Sequence, residues 1–267
     1  TGLTAGTTYY WTVKAVTSCN SSASSYPTAI TFNTTPAGAI TWSSTAATSV
    51  WATGSNWVGG VAPNSTQDAI IPTSTNYPVI TTVGLSINDA TVTNQCKSLT
   101  INTGASVTVN GTGLYVYVKG NLNISGTFNH QCGDNSNYFR VTTANGNVTV
   151  KNGGYLNIGS STITGGVPGG TIDVYNDLFI DQGKLSIESG GTVYVQDALI
   201  VQTSGTFRQD GGLYSGALSG AGSTTQDKVS ISSTSTFRLL GGTFRVSGDA
   251  DGSVSTYDAI FFASGAG

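Results

Sequence analysis

His130-Gln131-Cys132-Gly133-Asp134 places three metal-capable side chains at alternate positions, the densest such set in the sequence. A structural zinc site takes four ligands, usually as two spaced pairs. No second pair exists, and His130 is the only histidine. Any Ser-His-Asp triad would need that same residue, and the Gly-x-Ser-x-Gly turn that presents a nucleophilic serine is missing. Asp249-Ala250-Asp251-Gly252-Ser253 has the alternate oxygen donors and the glycine that begin a calcium loop. Such a loop wants a bidentate glutamate at its twelfth position, where this chain has Ile260, with Asp258 as the nearby substitute. The expectation is no cofactor. Calcium at Asp249, Asp251 and Ser253 is the alternative to a plain polar turn.

Glycoside hydrolysis needs two carboxylates about 5–9.5 Å apart. The chain has one glutamate, Glu188, and its densest aspartates are Asp173, Asp177, Asp181 and Asp197. Asp177 and Asp197 are twenty residues apart, and a twenty-residue coil would stack them on one face; the competing reading places both in turns. There is no His-Glu-x-x-His and no phosphate loop. Catalysis is not expected. Binding candidates are clearer. Arg208, Arg238 and Arg245 each follow a Thr-Phe pair. Alternation turns each Phe inward and each Arg outward, giving a plain solvent face or a ridge of cations for acidic glycans or an adjacent subunit. The polar stretch 129–138, with His130, Asp134 and Tyr138, and the glycine-rich stretch 210–226, with Tyr214, are expected as loops that contact a partner.

The elements that must position these residues are short apolar alternations. They include Leu99-x-Ile101, Val107-x-Val109, Leu122-x-Ile124, Val148-x-Val150, Leu156-x-Ile158, Leu185-x-Ile187 and Val193-x-Val195. Each pair sends two side chains to one face of a strand. Between Ile172 and Val201 the strands start at 172, 178, 185, 193 and 199, so three strands recur every 21 residues. That period is too short for hairpins and suits a coil of three strands per turn. The expected fold is all-β: a right-handed parallel β-helix over 96–267, preceded by a Trp-rich cap and entry to the solenoid over 37–95.

Composition narrows the classes. Net charge is −3, only 9% of residues are charged, and no window carries a helical apolar stripe. The basic residues are scattered, so nucleic acid is not an expected partner. No apolar run approaches the ~18 residues of a membrane span. Of Cys19, Cys96 and Cys132, the pair 96–132 is the one that could form a bridge. The absence of methionine suggests a processed product or a piece of a longer chain.

Residues 1–36 read Gly2-Leu-Thr-Ala-Gly-Thr-Thr-Tyr-Tyr-Trp-Thr-Val-Lys-Ala-Val16, then Ile30-Thr-Phe-Asn-Thr-Thr-Pro36. They resemble the C-terminal half of a fibronectin type III module, with strands at Thr8–Val16 and Ile30–Thr34 and an apolar face of Tyr9, Trp11, Val13 and Ala15. Residues 41–109 carry Thr41-Trp42, Trp51, Asn56-Trp57-Val58-Gly59-Gly60-Val61-Ala62-Pro63, Asp68-Ala-Ile-Ile-Pro72 and Leu99-Thr-Ile-Asn-Thr-Gly-Ala-Ser-Val-Thr-Val109. This block resembles the opening segment of repeat-rich surface adhesins secreted by Bacteroidota through the type IX route. The resemblance implies a secreted, cell-surface protein acting by attachment to surface glycans or other cells, or by assembly with copies of itself into a fibre. A polysaccharide-binding or polysaccharide-degrading β-helix is the alternative. Trp42, Trp51 and Trp57 are expected to plug the end of the solenoid rather than stack on sugars, because an open core end needs a cap.

Overall fold

The computed structural model of the chain describes residues 3, 8–11, 30–33, 38–81, 95–110, 115–131, 138–141, 146–159, 169–216, 229–246 and 261–262. The alternating pairs wind into a parallel β-helix with three sheets of nine, seven and seven strands. One rung runs Leu99–Ile101 on the first sheet, Ser106–Val109 on the second and Tyr115–Val118 on the third. The next runs Leu122–Ile124, Thr127–His130 and Tyr138–Val141. Each strand pairs in parallel with its counterpart one rung on, so the backbone bonds run along the solenoid and link rung to rung.

Register is set by the inward residues. Leu99, Leu122, Val148, Leu178, Leu199 and Val229 form one column on the first sheet. Val107, Phe128, Leu156, Leu185, Phe207 and Phe237 form its equivalent on the second. A slip of one residue would turn Thr, Asn and Ser into the core, which is why the columns hold. The buried apolar residues make one cluster from Ile40 to Ile231. The 21-residue repeat holds from Leu178 to Leu199, but Val148 to Leu178 spans 30 residues and Leu199 to Val229 another 30. The extra residues fall between strands, where length does not disturb the stacked columns.

One corner is built on space. Gly126, Gly154, Gly183 and Gly205 each stand just before a second-sheet strand in four successive rungs. None has a positive φ; a Cβ at Gly205 would instead overlap the carbonyl of Ile180, and one at Gly154 that of Ile124. The corner glycines therefore let consecutive turns approach closely.

The solenoid begins earlier than composition suggests. Ile40–Thr41 and Ala69–Ile71 already belong to the first sheet, and Val79–Ile80 to the second. These strands of two or three residues lie within polar, Pro-containing sequence, which hides them, and the ladder starts at Ile40 rather than Cys96. Trp42 follows the terminal strand of the first sheet and packs edge-on against Trp57, which packs edge-on against Trp51. All three are buried. Trp42 Nε1 donates to the Asn76 carbonyl and Trp57 Nε1 to that of Trp51, both at 2.7 Å. Buried Asn56 ties the segment together, donating to Thr48 Oγ1 and the Val50 carbonyl. This is the geometry of a core plug, with no ring face open to a sugar.

Thr8–Trp11 pairs antiparallel with Ile30–Asn33 in a separate two-stranded sheet. Trp11, expected on a half-buried face, is 47% exposed. Residues 12–16 and 34 of the two expected strands lie outside the described residues.

Candidate functional site on the second sheet

Residues between the inward ones on the second sheet point outward. They form two columns: Thr127, Tyr155, Lys184, Thr206 and Thr236, and beside it Asn129, Asn157, Ser186, Arg208 and Arg238. Members of a column lie about 4.8 Å apart, and the columns about 6.6 Å apart. Lys184 Nζ sits 4.9 Å from the centre of the Tyr155 ring, where the ring's negative face attracts it. Arg208 Nε donates to Asp210 Oδ1 at 2.9 Å and lies 2.7 Å from Oδ2. That hydrogen bond, then the charge of Asp210, raises the guanidinium's hold on its proton further. Arg238 stands in register with Arg208, is exposed, and has no ion-pair partner among the described residues.

The side chains behind this face make it rigid. Phe207 stacks on Phe237, with centroids 4.7 Å apart, and Tyr214 stacks on Phe244 at 4.6 Å. The two stacks meet edge to face. The Thr-Phe-Arg strands thus put Phe inward and Arg outward, as alternation requires. Arg245 lies on the third sheet, opposite Ser215, so it is not part of the Arg208–Arg238 column.

Two of the expected binding residues are core residues. His130 ends the strand Thr127–His130, faces inward between Val109 and Ile158, and is fully buried. Its Nε2 donates to the Thr171 carbonyl at 3.0 Å. The polar sequence around it suggests a loop, but His130 continues the alternation of Phe128 and is turned inward by it. Tyr214 is also fully buried, on the strand Leu213–Gly216. Gly211 and Gly212 are a tight corner rather than the start of a long loop. Gln209 occupies the same inward column as His130 and likewise donates to a third-sheet carbonyl of the next rung, Thr243, at 2.9 Å. Asp134, Asp249, Asp251 and Ser253 lie outside the described residues, as does the side chain of Tyr138. Among the described residues, no three His, Cys, Asp or Glu side chains come together to hold a metal.

Asp177 directly precedes a first-sheet strand, and Asp197 sits in the bend before the first-sheet strand of the next rung. Asp177 belongs to a ladder of side-chain acceptors. Asn121 Oδ1 accepts from Asn147 N, Asn147 Oδ1 from Asp177 N, and Asp177 Oδ1 from Ala198 N. Each links one rung's corner to the next, which is the turn reading of these acids.

Cys96 is a free thiol in the core, so it is not bridged to Cys132. It heads a third-sheet column that continues through Val118, Val141, Val174 and Val195. Burial, then the charge of Asp68, pushes its pKa far above the ordinary 9.0. Burial also pushes Tyr214 far above 10.0. In both cases the folded state keeps a proton that the unfolded chain releases. Stability from these groups is therefore complete below about pH 9 and falls as pH rises, by about 1.4 kcal/mol per unit for each group once its unfolded form ionises. Cys96→Val should leave stability near pH 7 almost unchanged and flatten the first part of this alkaline decline. Denaturant midpoints between pH 7 and 11 test it, and an unchanged slope in the variant would rule out the thiol as the cause.

The chain matches no family model, no curated protein and no solved structure, so the chemistry of this face is read from its own residues.

Proposed function

We propose that the chain is a structural and adhesive segment of a secreted cell-surface protein, working by attachment and by packing of copies rather than by catalysis. The observation that carries this reading is the continuous column structure: 23 strands share three in-register sheets around one core. The nine strands of the first sheet alone extend about 38 Å along the axis. Such a stack resists bending, because every rung is bonded and packed to both neighbours. The side chains that invited a catalytic reading have structural work: His130 closes a core corner and Asp177 a rung-to-rung ladder. The secreted, surface setting is supported by the resemblance of residues 41–109 to secreted adhesins. No helix among the described residues is long and apolar enough to cross a membrane.

Electron microscopy of the native assembly, with copies of the chain located in it, tests the proposal. Copies packed in a symmetric fibre or a cell-surface appendage are expected. Isolated monomers would remove the fibre form, and hydrolysis or elimination of a polysaccharide by the purified chain would overturn the non-catalytic reading. A binding role for polysaccharide is favoured by one observation, the cations on the second sheet.

A further inference from the structure

We infer that the outer face of the second sheet binds an extended acidic polysaccharide, with its carboxylates on Lys184, Arg208 and Arg238. This rests on the attachment reading above and names the face and the ligand class. Three of the chain's ten Lys and Arg residues stand on three consecutive second-sheet strands, in a protein of net charge −3. Successive rungs lie about 4.8 Å apart, close to the advance per sugar in an extended glycan. A chain running along the solenoid axis would therefore meet a new cation at each rung.

Two of the three cations are already held in place. Tyr155 fixes Lys184, and Asp210 fixes Arg208 through Nε. Less side-chain freedom is then lost on binding. With Nε engaged, the terminal nitrogens of Arg208 still offer the paired donors that match a carboxylate. Asp210 pairs with Arg208, so the local charge is less positive than the count of cations alone gives.

Asn157 and Ser186, in the same outward column, are buried at 6% and 2% exposed, so contact with a ligand on this face falls to Lys184, Arg208 and Arg238. Single-stranded nucleic acid would need open aromatic faces for base stacking, and the face of Tyr155 is occupied by Lys184.

The test uses the full chain, with polygalacturonate as probe and its methyl ester as the uncharged control, read by affinity electrophoresis. The wild type should bind polygalacturonate and not the ester, and less tightly as salt is raised. Arg208→Ala with Arg238→Ala should lower affinity about tenfold or more. Arg245→Ala, on the third sheet, should leave it unchanged. Thermal unfolding of each variant checks that the fold persists. Retained affinity in the double variant, equal binding of the ester, or no binding of polygalacturonate would each overturn the inference. So would loss of copy-to-copy packing in the double variant without loss of glycan binding, which would make this face a subunit contact. Failure here with copies still packed in the native assembly leaves the scaffold proposal standing; binding by dispersed monomers does the reverse.

Discussion

Phe207→Ala should destabilise the C-terminal rungs by about 3–5 kcal/mol, near the top of the range for a buried aromatic truncation. Phe207 is fully buried and touches three other rings: it stacks on Phe237 and meets Tyr214 and Phe244 edge-on. Aromatic pairs of this kind add about 0.5–1.5 kcal/mol each beyond the area they bury. Phe237, one rung further on, is only partly buried, so Phe237→Ala should cost roughly half as much. Denaturant midpoints for the two variants give the comparison. Limited proteolysis should show the damage concentrated after Leu199, because a solenoid loses rungs by nearest-neighbour coupling. A loss at Phe207 no larger than at Phe237 would mean the aromatic cluster does not anchor this end.

Tyr214 and Gly216 form a size-compensated pair, and their substitutions should not add. The third-sheet columns carry Val193 and Val195 in one rung and Tyr214 and Gly216 in the next. A Cβ on Gly216 would come within 2.6 Å of the Tyr214 hydroxyl, so the glycine makes room for the ring. Gly216→Val alone should cost about 1–3 kcal/mol through overpacking. Tyr214→Val alone should cost about 2–4 kcal/mol, through the cavity and the lost stack on Phe244. The double variant restores the Val-x-Val pattern of the preceding rung. It also removes a buried hydroxyl that has no hydrogen-bond partner. Coupling of about 0.5–3 kcal/mol in the favourable direction is expected from a double-mutant cycle. Additive losses would show that the two side chains do not share this space.

Much of the architecture is legible as alternation. Pairs such as Leu122/Ile124 and Leu185/Ile187 announce strands because only a strand repeats every second residue. Three strands per coil follow from the spacing between 172 and 199. The Arg208 and Arg238 positions are legible for the same reason, since each follows an inward Phe. At His130 polar neighbours mask a one-residue continuation of the alternation, and at Tyr214 the preceding glycines mask the start of a new strand. Thr127-Phe128-Asn129-His130 contained the needed signal: a residue two after an inward Phe faces inward whatever its polarity. The start of the solenoid at Ile40 was hidden by strands of two or three residues, too short to show a period.

By itself, then, the sequence determined the parallel coil, its direction of facing and the Trp plug, because these depend on local periodicity and on residues too apolar to leave in water. Only the tertiary structure decided which outward residues become neighbours. Corner lengths vary between rungs, so Arg238 lands above Arg208 at a spacing of 30 residues while Arg245 lands on another sheet. Register between rungs is set by long-range packing of the core columns, and no local spacing encodes it.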